Sequence, residues 1–225
     1  MPKTKDQRSK TQDLVAILLA AGQSKRMGAF KPLLPFGETT VIRSCVANLQ
    51  AGGVEQVIVV TGHRASDVES NLTGLDHVRF VVNPNPKSEM SASIACGAEA
   101  LPATAKAVVI ALTDQPAIPS AVIRSLTEAW RKGAKLVVPE FDGRGGHPVL
   151  VDLELRERLL TLDPQRGLKE LFDENRDQVL RLPVNSSYIA RDMDTWDDYC
   201  ALHEDVFGAP PNTWTAEEPG LLPTN

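Results

Sequence analysis

Residues 14–31 read Leu14-Val15-Ala16-Ile17-Leu18-Leu19-Ala20-Ala21-Gly22-Gln23-Ser24-Lys25-Arg26-Met27-Gly28-Ala29-Phe30-Lys31. An unbroken apolar run from Leu14 to Ala21 stops at Gly22, and a loop follows that carries Gly28 and the cations Lys25, Arg26 and Lys31. Such a run reads as a strand buried on both faces. A buried strand emptying into a glycine-rich, basic loop is how α/β proteins hold phosphates. Backbone N–H groups crowd an anion where no side chain intervenes, and the cations supply counter-charge. The segment therefore predicts a site for a nucleotide or another polyphosphate. A turn serving backbone geometry alone would leave the three cations unexplained.

Spacing excludes the two commonest phosphate loops. A Walker loop places four residues between its glycines and then Lys and Ser/Thr directly. Here five residues separate Gly22 from Gly28, and Lys31 comes three positions later. The dinucleotide fingerprint G-x-G-x-x-G is absent too, which speaks against a nicotinamide or flavin enzyme.

Outward from this segment, short runs rich in Val, Ile and Leu at Leu14–Ala20, Gln56–Thr61, Val78–Val82, Lys106–Leu112 and Lys135–Val138 predict strands. Thr40–Ala51, Ala65–Leu72, Ser91–Leu101 and Pro119–Lys132 have helical spacing. Thr39 or Thr40 and Ser120 are candidate starts, and Gly52-Gly53 and Gly133 candidate stops. The alternation predicts βαβ units, a mainly parallel sheet and helices on both faces. In the last third, strands are expected at Arg144–Val151, Val179–Pro183 and Tyr188–Asp192, with helices at Asp152–Leu160 and Gly167–Glu174. The expected organisation is a disordered segment 1–13, one domain over 14–207 and a flexible tail 208–225.

Ligands of such sheets bind beyond the carboxyl ends of the strands. Gly22, Gly62, Asn83 and Asp114 follow the first four predicted strands in turn, so parallel strands bring them to one edge. Asp114 ends the apolar strand Ala107–Leu112 and faces a basic loop, a position suited to Mg²⁺ or Mn²⁺, which take one or two carboxylates with phosphate oxygens and water. Asp192 and Asp194 share a face of an extended segment. They also stand where acids favour the helix that follows. Arg26 and Lys31 suit phosphate oxygens, one as a planar fork and the other as a mobile point charge. Ser91 and Ser93 open a helix, where one serves as N-cap and the helix start can bind an anionic or carbonyl group. His147 follows Gly145-Gly146, which permits close backbone approach. No Ser–His–Asp arrangement is legible.

The ordered series Leu19-Ala20-Ala21-Gly22-x-Ser24-x-Arg26-Met27-Gly28-x-x-Lys31, Thr61-Gly62-His63-Arg64, Ser88 to Ile94, Asp114-Gln115-Pro116, Gly146 to Leu150, Gln165-Arg166-Gly167 and Asp192 to Tyr199 resembles the MobA-like nucleotidyltransferases, and among them the molybdenum cofactor cytidylyltransferase type. The resemblance spans about residues 14 to 204. It implies a three-layer αβα Rossmann-like nucleotidyltransferase fold, mainly parallel, with some antiparallel pairing in the C-terminal third. It further implies CTP as donor, molybdopterin bearing molybdenum as acceptor, and Mg²⁺ or Mn²⁺. By resemblance, Arg26, Lys31 and Asp114 are catalytic. The nucleotide contacts are Leu19, Ala20, Ala21, Gly22, Ser24, Arg26, Gly28, Lys31, Thr61, Gly62, Asn83 and Asp114. Ser91, Ser93, Gln115, Gly146, His147 and Arg166 face the acceptor. Asp194 is the second metal ligand, with Asp192 as support or alternative.

Two departures stand out: the family usually has Gly where Glu89 stands and Pro where Trp196 stands. Ala20-Ala21-Gly22 points to CTP, since guanylyl-transferring relatives more often show Ala-Gly-Gly. A guanylyltransferase, a transferase acting on a sugar or alcohol phosphate, and a non-catalytic, cofactor-carrying chaperone for a molybdenum hydroxylase remain alternatives, and such a hydroxylase is a candidate client.

The net charge of −5 over 225 residues provides no basic excess for nucleic acid. Cys45, Cys96 and Cys200 form no C-x-x-C pair and no disulfide framework, which leads to an expectation of a reducing, cytoplasmic setting. The basic stretch around Lys3, Lys5, Arg8 and Lys10 is neither signal peptide nor anchor, and no run approaches the ~18 apolar residues of a membrane helix.

Overall fold

The computed structural model describes residues 13–22, 26–85 and 89–211. Ser24, Lys25 and Ser88, and almost all of the two expected flexible ends, lie outside these residues.

The apolar run forms strand β1 (Leu14–Ala20) at the centre of an eight-stranded sheet. On one side β1 pairs in parallel with β4 (Gln56–Thr61), which pairs in parallel with β5 (Val78–Val82). On the other it pairs in parallel with β6 (Ala107–Leu112). Beyond β6 the order continues through β9 (Val149–Asp152), β7 (Leu136–Phe141) and β10 (Val179–Pro183). Strand β9 is antiparallel to both neighbours, β10 is parallel to β7, and the two-residue β8 (Arg144–Gly145) hairpins onto β7. The fold class is as expected: α/β and mostly parallel, with the antiparallel pairs in the C-terminal third. A small hairpin of β2 (Pro35–Phe36) and β3 (Thr39–Thr40) lies apart from the main sheet.

Successive side chains of a strand point to opposite faces, and β1 supplies both. Leu14, Ala16, Leu18 and Ala20 join a core with helices α1 (Val41–Ala51), α2 (Ala65–Leu72) and α4 (Ser120–Arg131). Val15 and Ile17 join another with α3 (Met90–Glu99), α5 (Arg156–Leu160) and α6 (Leu168–Glu174). Leu14 to Leu18 are all fully buried, which is why this strand lacks polar alternation. On α3, a Cβ at Gly97 would lie 2.7 Å from Ile17 Cγ2, so the helix seats directly on the sheet. A third cluster packs helix α7 (Trp196–Phe207) against the β2–β3 hairpin through Met27, Phe36, Met193, Tyr199 and Leu202. There the Tyr199 hydroxyl donates to Pro35 O at 2.6 Å.

Helix ends follow their capping chemistry. The Thr40 hydroxyl accepts from Arg43 N at 3.4 Å, and Gly133 follows α4 with φ +103°. Thr195 and Asp198 form a reciprocal capping box on α7. Neither Ser91 nor Ser93 is an N-cap, contrary to expectation: the cap position of α3 is Glu89, whose side chain makes no capping bond. Both serines are buried inside the first turns instead.

Two further expectations need correction. Arg144–Val151 is not one strand, because His147 N donates to Ile189 O at 2.8 Å rather than into the ladder and Pro148 has no N–H to give. Tyr188–Asp192 is not a strand either; Ser187–Ala190 makes a 3₁₀ turn that buries Ile189 completely against the sheet. Asp152–Leu160 is a 3₁₀ turn (Leu153–Leu155) running into α5, with the Asp152 carboxylate accepting from Glu154 N at 2.9 Å.

Backbone bonds reach both ends of the described residues. Asp13 O accepts from Lys106 N at 2.7 Å, and Ala209 O lies 2.7 Å from His203 Nδ1. Among the described residues no helix is long and apolar enough to cross a membrane.

Candidate active site

The carboxyl ends of β5, β4, β1 and β6 are neighbours in the sheet and point the same way. Ala21-Gly22, Thr61-Gly62, Asn83 and Asp114 therefore gather at one edge. The approach of β4 to β1 is tight: a Cβ at Gly62 would stand 3.0 Å from Ala21 O and 3.2 Å from Ala21 Cβ. Thr61 is fully buried and donates to Val81 O at 3.3 Å. Asn83 N donates to Thr61 O at 2.8 Å, and its side-chain amide donates to Ser93 Oγ at 3.0 Å. Thus Thr61, Asn83 and Ser93 tie β4, β5 and α3 together under the edge. Beside them, the Arg64 guanidinium stacks over the Phe30 ring, 5.0 Å from its centroid, and pairs with Asp67. Next to it, the His63 and Phe30 rings stand nearly perpendicular, 6.3 Å between centroids.

From the glycine-bearing loop after β1 two cations converge on one acid. Arg26 Nη2 lies 2.8 Å from Asp194 Oδ2, and Lys31 Nζ lies 2.8 Å from Asp194 Oδ1. The Lys31 bond, then its charge and that of Arg26, hold the Asp194 carboxyl below the usual carboxylate range. Gly28, at φ +70°, takes the left-handed conformation that lets the loop turn between them.

Across the site, Asp114 is stressed in the opposite sense. Its Oδ1 is buried and has no hydrogen-bond partner among the described residues. Burial first, then the charge of Asp192 and, against the opposing pull of Lys31, that of Asp194 raise its pKa to about 6. A buried carboxylate oxygen with nothing to bind, facing two further acids, wants a cation. Among the described residues no three His, Cys, Asp or Glu side chains form a metal cage by themselves. Mg²⁺ or Mn²⁺ would complete its shell with phosphate oxygens and water. Asp114 with Asp192 or Asp194 would hold such an ion, and the residues present fit it.

A carbonyl that the sequence did not point to organises the far side. Ile189 O accepts from His147 N at 2.8 Å and from Gln115 Nε2 at 3.4 Å. A Cβ at Gly146 would sit 2.0 Å from it, so only glycine fits there. Gln115 Nε2 also donates to Asp192 Oδ1 at 2.7 Å, and Met193 N donates to Asp114 O at 2.9 Å. These bonds dock the 189–194 segment on the end of β6 and bring Gln115, Gly146, His147 and Asp192 together. Burial pushes the His147 imidazole down, against weaker upward pulls from Ile110 O and Asp192. Arg166 stands apart from this group: its guanidinium reaches Asp173 at 3.3 Å, and its N–H reaches Asp163 Oδ1 at 3.0 Å, all within its own segment.

The mostly parallel sheet, with its strand ends gathering a basic loop and three acids, has the fold of the Rossmann-like nucleotidyltransferases. The family model described as the MobA-like NTP transferase domain matches residues 16–179, and the chain belongs to that family. A protein named nicotine blue oxidoreductase, from Paenarthrobacter nicotinovorans, is 31% identical over 190 residues, covering 81% of this chain and 92% of its own. The molybdenum cofactor cytidylyltransferase of Escherichia coli K12 is 23% identical over 191 residues, covering 84% and 94%. Among solved structures, a nucleotidyl transferase from Methanothermobacter superposes with a TM-score of 0.76 at 27% identity, over 87% of this chain and 98% of that one. Rv0371c from Mycobacterium tuberculosis, in complex with manganese, superposes with a TM-score of 0.74 at 28% identity, over 86% and 100%.

Proposed function

We propose that the protein transfers CMP from CTP to the terminal phosphate of molybdopterin bearing molybdenum, forming the cytosine dinucleotide and releasing pyrophosphate. The observation that carries the reading is the unpartnered Asp114 oxygen across from the Arg26–Asp194–Lys31 group. The likeness to the E. coli cytidylyltransferase supports the choice of substrates.

Arg26 and Lys31 bind the triphosphate and take up charge on the leaving pyrophosphate. Asp114, with Asp194 or Asp192, would hold the divalent ion, which would supply charge neutralisation for the phosphate oxygens. The nucleophile is a phosphate, already largely ionised near neutral pH (second pKa ≈ 6). No protein base has to remove a proton, and positioning by Gly146, His147 and Gln115 with charge neutralisation accounts for the rate. Ala21 packs closely against Gly62, and in this reading its methyl would narrow the base pocket against a purine.

The test is pyrophosphate release from CTP and from GTP with Mg²⁺, with and without molybdenum-loaded molybdopterin, using wild type and Asp114→Ala. CTP- and acceptor-dependent release, lost in the variant, is expected. Release with GTP alone would keep the mechanism and reverse the base assignment. No release with either, from protein that binds nucleotide, would move the acceptor to a sugar or alcohol phosphate or make the protein a carrier for a molybdenum hydroxylase. The oxidoreductase name of the Paenarthrobacter relative is that protein's own; carboxylates facing a phosphate loop suit phosphate chemistry.

A further inference from the structure

Asp194 spends both carboxylate oxygens on the two cations of the phosphate loop. Oδ2 takes Arg26 Nη2 and Oδ1 takes Lys31 Nζ, each at 2.8 Å. The two bonds are unequal in setting. The Lys31 side chain is only 12% exposed and that of Arg26 73%, so water screens the arginine and the lysine bond is the stronger restraint. Asp194 itself hangs on a fixed segment, since Met193 is fully buried and its N–H is bonded to Asp114 O. The capping box of α7 begins at the next residue, Thr195. The carboxylate is thus a stationary anion, and the loop cations come to it.

A carboxylate offers these cations the same fork of oxygens that a phosphate does. We propose that Asp194 is a positioning residue that mimics a phosphate: it holds Arg26 and Lys31 at the spacing a polyphosphate needs and is displaced from them when one binds. This rests on the transferase reading of the site and goes beyond it. It gives Asp194 a task separate from metal binding and makes it a competitor of the ligand. Displacement also frees a carboxylate beside Asp114 only after the polyphosphate has arrived, so the polyphosphate precedes the second acid ligand.

The experiment is calorimetric titration of the full chain with inorganic pyrophosphate in excess EDTA, so that no divalent ion contributes. Wild type, Asp194→Asn and Asp197→Asn are compared. Asp197 is exposed in the first turn of α7, and its variant removes an equal charge three residues away. Pyrophosphate binding about tenfold tighter in Asp194→Asn, with less than a twofold change in Asp197→Asn, is expected. Equal tightening in both variants would reduce the effect to net charge and overturn the proposal. So would weaker binding in Asp194→Asn, which would mean that the carboxylate helps to hold the bound polyphosphate and does not stand in its place. If Asp194→Asn does not fold by circular dichroism, Asp194→Ser carries the same comparison. Wild type that binds no pyrophosphate at millimolar concentration would sink the transferase reading itself. Wild type that binds, with no tightening in the variant, sinks the placeholder alone.

Discussion

Asp114 sits half withdrawn from water at the end of β6, in the field of Asp192 and Asp194, with a pKa near 6 against an ordinary 3.8. Because the folded value is the higher one, the folded state holds this proton more tightly. The stability that this provides is complete in acid and is lost as pH rises from about 4 through 6. In chelator-treated protein, Asp114→Asn should therefore melt higher than wild type at pH 7.5. The gap should shrink towards pH 4.5 and correspond to about 3 kcal/mol at most. Magnesium or manganese should raise the melting temperature of wild type and leave the variant unmoved. Gln115 sits beside this acid group and acts through Asp192, to which it donates at 2.7 Å. Replacing it by Met keeps the volume and removes the bond. Manganese affinity, read by electron paramagnetic resonance, should fall roughly tenfold, as when a partner of a metal ligand is lost. An unchanged manganese affinity would leave Gln115 a packing residue.

At the scale of elements, the site depends on how the 187–194 segment docks. Gly146→Ala would drive a methyl to 2.0 Å from Ile189 O. Backbone must move, at a cost of at least about 2 kcal/mol. Both the melting temperature and acceptor KM should suffer, while the KM for CTP, which the proposed reaction binds at the β1 loop, should hold. Thr195→Ala removes the hydroxyl half of the α7 capping box and should cost about 1 kcal/mol in denaturant melts. The strands β1, β4, β5 and β10 and helix α2 stand where their sequence patterns put them, because each is a short apolar run or amphipathic stretch bounded by a turn residue. The pattern failed at Tyr188–Asp192. Its residues suit a strand, but the bonds that fold it into a turn come from His147 and Gln115, 42 and 74 residues away.

For the whole molecule, strand order decides which loops meet. The order β5-β4-β1-β6 places four consecutive carboxyl ends side by side, and the reversed β9 lets β7 and β10 extend the sheet without covering that edge. The glycine–cation loop, the apolar strands and Asp114 were legible from residue types in order along the chain, since local spacing determines strand, turn and exposed charge. So was the likeness to the MobA-like family. The pairing of Asp194 with both loop cations, the unpartnered oxygen of Asp114 and the Ile189 carbonyl that gathers Gln115, Gly146 and His147 were decided by the tertiary structure alone. Each joins segments far apart in sequence, and hydrogen bonds and fields act through space, where chain order carries no distance.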